Sequence, residues 1–257
     1  MARVRVGIAV PSANPTVAPE LHALLPGLDL YVARLWAPPG LGLRDRLAAY
    51  RDGLAGCLAS LSGLDLAAVL VACTGASYPL GPDGDRAWAA SQSAAFGAPV
   101  ITAAGAVLTA LRAARIGRLD LVSPYPAWLT AESAAFWAGA GLTVGEVHQI
   151  EGTGAIYDLA VSDVAAALHA AGTGGTDRIG GGRRRAILVT GTGAPSLPAL
   201  DEHAVRGTVP ALSSNLAGAW ALLAAAGATA AAAATAGPAL TRWFRETAAA
   251  DPDGTTA

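Results

Sequence analysis

Short runs of branched apolar residues recur along this chain, each followed by a longer stretch rich in alanine and leucine, and that alternation leaves few folds open. The runs lie at 4–10, 30–35, 67–72, 99–102, 118–123, 143–148, 186–190 and 209–212. Helical spacing and composition occupy the intervals near 16–25, 44–62, 84–96, 103–114, 127–140, 157–171, 196–206 and 215–226. Strand followed by helix, repeated, predicts an α/β protein with parallel sheets covered by helices on both faces. Such sheets bind ligands beyond the carboxyl ends of their strands, so the residues directly after each strand are where chemistry is sought.

Those post-strand segments repeat. Leu70-Val-Ala-Cys-Thr-Gly-Ala76 aligns with Leu188-Val-Thr-Gly-Thr-Gly-Ala194. Val10-Pro-Ser-Ala-Asn14 precedes the first copy as Ser123-Pro-Tyr-Pro126 precedes the second. Ala98-Pro-Val-Ile-Thr102 follows the first as Val209-Pro-Ala-Leu-Ser213 follows the second. Three matched segments in one order predict two pseudo-symmetric, flavodoxin-like half-domains, 1–115 and 116–227, with the active site between them. The closing helix near 215–226 is expected to pack on the first half, and 228–257 to form an alanine-rich helix and a frayed tail.

Composition removes several function classes. All 17 basic residues are arginine, so no lysine is present to form a Schiff base, which excludes pyridoxal-phosphate enzymes and Schiff-base aldolases. A net charge of −2 argues for neither nucleic acid nor an anionic membrane as partner. Residues 216–236 are small and apolar, but alanine contributes little to insertion, so a buried or amphipathic helix is expected there rather than a membrane span. Two cysteines, and a strand that starts almost at residue 1, predict a reduced, cytoplasmic protein without a leader. The glycine- and arginine-rich stretch 172–185 has no P-loop pattern and reads as a surface loop. The four histidines share no metal-ligand spacing, and no serine sits in a G-x-S-x-G context. Arg34 and Arg44 flank the loop Pro38–Gly42 and read as solvated surface residues before carboxylate ligands; that loop, with Trp36 and Leu43, could form a lid.

Cys73 carries the sharpest candidate chemistry. It ends a buried strand and precedes Thr74-Gly75, where backbone N–H groups could acidify a thiol. A buried cysteine acting only as a small hydrophobe is the plain alternative. The repeat favours chemistry, because the equivalent position is Gly191, followed by Thr192, and a glycine there is expected to leave room for a substrate facing the thiol.

Val10–Asn14, Ala72-Cys-Thr74, Ser123-Pro-Tyr125, and Ser213-Ser-Asn215 followed by Trp220 together resemble the Asp/Glu racemase superfamily, within it the maleate isomerase and arylmalonate decarboxylase branch. The resemblance runs to about residue 225. It implies a pseudo-symmetric enzyme that needs no cofactor or metal. Cys73 matches the nucleophilic cysteine of the isomerases, Asn14 and Asn215 the asparagines that hold substrate carboxylates, and Tyr125 a hydrogen-bond donor to the substrate. Thr74 matches a position that helps bind a carboxylate or enediolate oxygen, with Gly75, Gly191 and Thr192 beside it.

One position departs from the pattern: racemases and maleate isomerases carry a second cysteine where this chain has Gly191, and the decarboxylases carry their single cysteine there, with glycine at the first position. Two-base racemisation is therefore disfavoured. The leading expectation is maleate-type cis–trans isomerisation through an adduct on Cys73, and the alternative is decarboxylation of a substituted malonate with Cys73 as proton donor. A catalytically degenerate carboxylate-binding protein is the non-enzyme alternative. In each case the partner is a small carboxylate or dicarboxylate, and homo-oligomerisation stays open.

Overall fold

The computed structural model describes residues 3–150, 156–173, 178–179, 183–228 and 235–250. The first half contains β1 (Arg5–Pro11), α1 (Val17–Leu24), β2 (Asp29–Leu35), α2 (Leu43–Asp52), α3 (Leu54–Ala59), β3 (Val69–Val71), α4 (Thr74–Ser77), α5 (Gly81–Phe96), β4 (Val100–Thr102) and α6 (Ala103–Ala113). The second contains β5 (Ile116–Ser123), α7 (Ala127–Gly139), β6 (Thr143–Gln149), α8 (Val161–Gly172), β7 (Arg178–Ile179), β8 (Arg183–Val189), α9 (Leu197–Arg206), β9 (Ala211–Ser213), α10 (Ser214–Ala225) and α11 (Pro238–Ala250). Every strand run read from the sequence is a strand here. The stretch 44–62, expected as one helix, divides at Gly53 into α2 and α3.

Parallel pairing in the first sheet gives the order β2-β1-β3-β4, and in the second β6-β5-β8-β9, with β7 added antiparallel on β8. The two orders superpose when β1 is matched to β5 and β3 to β8. In that match Ala72 N donates to Ala9 O at 2.8 Å, and Thr190 N to Val122 O at 2.9 Å. Likewise Val69 N donates to Pro99 O at 2.8 Å and Ile187 N to Pro210 O at 2.9 Å. Thr102 and Ser213 occupy the same place, each capping the following helix by accepting an N–H three residues on. The register therefore bears out the internal repeat and the two pseudo-symmetric sheets.

The inner strands of each sheet are buried on both faces, as continuous apolar runs such as Val69–Val71 and Ile187–Val189 require. Helix α10 follows the second sheet in sequence but packs on α6, α1 and β3, and Gly218 lets it close on Leu70, whose Cδ2 lies 2.6 Å from where a Cβ would stand. The two halves are thus interleaved.

Past Pro238, where the sequence suggests a fraying tail, α11 buries Leu240 and Trp243 against the second half. Arg242 holds it there by donating to the carbonyls of His203, Ala204, Gly207 and Thr208 at the end of α9. Of the 172–185 stretch read as a loop, 178–179 and 183–185 are strand, while 174–177 and 180–182 lie outside the described residues, as do 229–234 and 251–257. No helix among the described residues is long and apolar enough to cross a membrane.

Candidate active site

The ends of β1, β3, β5 and β8 converge on one cavity of about 520 Å³ between the halves. After β1 the chain turns, Asn14 N donating to Pro11 O at 3.0 Å, and Asn14 Oδ1 accepts the N–H groups of Thr16 and Val17 at 2.9 and 3.0 Å to open α1. Arg34 fixes this turn by donating to the carbonyls of Pro11 and Asn14. Asn14 Nδ2 then reaches Thr192 Oγ1, 3.4 Å away in the other half. Thr192 Oγ1 in turn donates to Ala72 O at 2.8 Å, and Thr16 Oγ1 to Gly193 O at 2.9 Å. These bonds lock the two strand-end loops together across the pseudo-dyad.

Cys73 directly follows β3, at φ −143°, and is buried. Burial pushes its thiol up to about 11, against the lowering effects of the Ala76 N–H and the charges of Arg46 and Arg51. The thiol is therefore not acidified as its strand-end position suggests: the Ala76 N–H lowers it, and desolvation outweighs that donor. Tyr125, whose phenol is also raised by burial and by the neighbouring Tyr78, stays a proton-bearing donor. Its backbone carbonyl accepts from the Gln149 amide. Thr74 Oγ1 is buried in the cavity wall beside the Tyr125 phenol, whose pKa it lowers as a hydrogen-bonding neighbour.

Asn14, Cys73, Thr74, Gly75, Tyr125 and Thr192 all line the cavity, as the sequence predicts. Two predicted residues do not. The place in front of Gly191 is filled rather than open: a Cβ there would lie 3.1 Å from the Tyr125 ring and hydroxyl and 3.2 Å from Ile156 Cδ1. Gly191 also adopts φ +83°, a left-handed conformation that favours glycine, so it serves a turn and not a binding space. Asn215 sits behind the wall, donating to Glu20 at 2.7 Å and to Thr192 O at 3.1 Å.

The first of these bonds reveals a group with no sign in the sequence. Glu20, on α1, accepts from the backbone N–H of Ser196 and Leu197 at 2.6 and 2.7 Å, closing the amino end of α9 in the other half. Burial raises its carboxyl, opposed by the donors from Asn215, Leu197 and Ser196. Asn215 is thus a positioning residue between a buried carboxylate and the Thr192 loop.

The remaining wall is largely apolar: Leu43, Leu47, Leu129, Ile150 and Ile156, with Tyr50, Tyr157 and Arg46 among them. Tyr78 stands behind Tyr125, with ring centroids 6.1 Å apart. Arg44 pairs with Glu132 at 2.7 Å and stacks 4.2 Å over Trp128, away from the site. Among the described residues no group of three or more His, Cys, Asp or Glu could hold a metal ion.

The arylmalonate decarboxylase family model matches residues 6–238. Among solved structures, the chain is similar to a cysteine-to-serine variant of Nocardia farcinica maleate cis-trans isomerase with a covalently bound succinylcysteine intermediate (25% identity, 95% of this chain and 98% of that one, TM-score 0.78). The same enzyme bound to TRIS is 27% identical over 96% of this chain and 99% of that one, with a TM-score of 0.76. An arylmalonate decarboxylase structure is 25% identical over 88% and 93%, with a TM-score of 0.70. No curated protein matches.

Proposed function

The chain belongs to the arylmalonate decarboxylase family, and from that premise we propose that it decarboxylates a malonate carrying an apolar substituent, with the Cys73 thiol as proton donor. The observation that carries this reading is the division of the cavity. Hydrogen-bond donors (Thr74, Tyr125, Asn14) cluster with the thiol at the strand ends, and leucines, isoleucines and prolines form about half of the rest. A substrate with one oxygen-rich end and one apolar body fits that division better than maleate, which is polar at both ends.

In the reaction the bond between the α-carbon and one carboxylate breaks, carbon dioxide leaves, and the electron pair stays on the α-carbon as an enediolate. Thr74 and Tyr125 donate to the enediolate oxygens, where charge grows as the transition state forms. The apolar wall suits the departing carboxylate, because carbon dioxide is neutral. The Cys73 S–H proton then passes to carbon, giving the monocarboxylate, and water reprotonates the thiolate. A thiol held protonated by burial suits this acid role.

Cis–trans isomerisation of a maleate-type dicarboxylate is the second reading. It is favoured by the likeness to an isomerase in which a succinylcysteine forms although one cysteine has been replaced by serine, so that one thiol suffices for the adduct. Proton NMR in deuterated buffer separates the two. Phenylmalonate converting to monodeuterated phenylacetate supports the proposal; fumarate appearing from maleate, with phenylmalonate untouched, replaces it by isomerisation.

A further inference from the structure

One charge in the cavity is left unused by this reaction. Helix α2 presents Leu43, Arg46, Leu47 and Tyr50 to the cavity, the i, i+3, i+4, i+7 spacing of a single helix face. Such an inward face is ordinarily apolar throughout. The neighbouring arginines are all engaged: Arg44 with Glu132, Arg51 with Ala76 O at 3.2 Å, and Arg34 with the turn after β1. The Arg46 side chain is half-buried and has neither hydrogen bond nor ion pair among the described residues. Its charge reaches both Cys73 and Tyr157. A guanidinium in an apolar wall with its donors free is a receptor for a carboxylate.

The carboxylates of the malonate itself are poor candidates for that partner. A cation on the departing carboxylate would stabilise the ground state more than a transition state tending to neutral carbon dioxide. The remaining carboxylate already has its donors at the strand ends. The guanidinium is of use to a group that keeps its charge throughout.

We propose that Arg46 is a specificity-determining residue that binds a second anionic group on the substituent, so that the preferred substrate is an aryl-type malonate with a distal carboxylate. This rests on the decarboxylase reading above. The test compares kcat/KM for 3- and 4-carboxyphenylmalonate with the matching methylphenylmalonates, in the native chain and in Arg46→Met. The native protein should prefer at least one carboxyphenyl substrate by about tenfold or more, the factor that about 1.4 kcal/mol provides. Arg46→Met should abolish that preference, mainly through KM, by a loss on the carboxyphenyl substrates about tenfold greater than any loss on the methyl series. An equal loss on both series, or no preference in the native chain, overturns the proposal. Titration calorimetry of the carboxyphenylacetates and methylphenylacetates gives a readout that needs no turnover. An Arg46-dependent preference there, without decarboxylation of any malonate, sinks the decarboxylase reading while keeping the anion site; no such preference sinks the anion site itself.

Discussion

At the end of β3 the chain runs through Cys73, at φ −143°, straight into α4; at the end of β8 it turns through Gly191, at φ +83°. The hydrogen bonds that lead into these two points are the same in both halves, and so are the caps two strands on, at Thr102 and Ser213. The difference begins only where the chemistry does. On the first side a thiol faces the cavity; on the second, the Tyr125 ring and Ile156 stand where a side chain at 191 would go. A duplicated fold can keep its symmetry in the backbone while one half supplies the acid and the other supplies packing. In the proposed reaction the site then works on one face of its substrate.

Removing the acid is the largest break in that comparison. Cys73→Ala should lower kcat on a competent malonate by about 10³-fold, within the range for a positioned general acid, with the unfolding transition unmoved. Cys57, buried on α3 away from the cavity, should tolerate the same change with activity intact. Retained turnover in Cys73→Ala would remove the thiol from the mechanism.

Next in size is the bond that holds the halves in register. Glu20→Ala leaves the N–H groups of Ser196 and Leu197 and the Asn215 amide without their acceptor, and should cost about 3 kcal/mol in denaturant unfolding. A loss below about 1 kcal/mol would show that water replaces the carboxylate without penalty.

Restoring formal symmetry should fail. Gly191→Cys forces a side chain into a left-handed backbone against Tyr125, so it should destabilise the fold by about 2 kcal/mol and add no racemase activity. Deuterium exchange at the α-carbon of a chiral amino acid or arylpropionate by this variant would contradict the filled-space account.

The smallest effect is one of pH. Because burial raises the Cys73 thiol from 9.0 to about 11, the acid form persists throughout the neutral range and is lost only as pH climbs through that value. Between pH 7 and 9, kcat should change by less than about twofold, while alkylation of Cys73 by iodoacetamide rises towards an inflection at about 11. An inflection at 9 or below would return the thiol to a nucleophile and favour isomerisation.

How much of this the sequence discloses follows from how local each signal is. The strand–helix order and the repeat are local patterns, and every strand run they indicate is a strand of the structure. Asn14, Cys73, Thr74 and Tyr125 were legible because they directly follow strands, where a parallel sheet puts its ligands. The filled space at Gly191 was not, since Ile156 reaches it from a segment far away in the chain. Asn215 looked like a ligand because nothing near it in sequence announces Glu20, almost two hundred residues earlier. Nothing in the sequence sets Arg46 apart from Arg34 and Arg44, because which face of α2 points inward is settled by tertiary packing. The state of the Cys73 thiol depends on how completely it is desolvated, which a strand-end position does not reveal.

The most direct test of one-sided chemistry is the handedness of the product. α-Methyl-α-phenylmalonate loses carbon dioxide to a planar enediolate, and protonation of either face gives a different enantiomer of 2-phenylpropionate. With its thiol on the first strand end, this protein should give one enantiomer in clear excess by chiral chromatography, opposite in hand to that from a decarboxylase whose cysteine lies on the second. A racemic product would mean that the proton comes from solvent or from both faces, and would contradict the account.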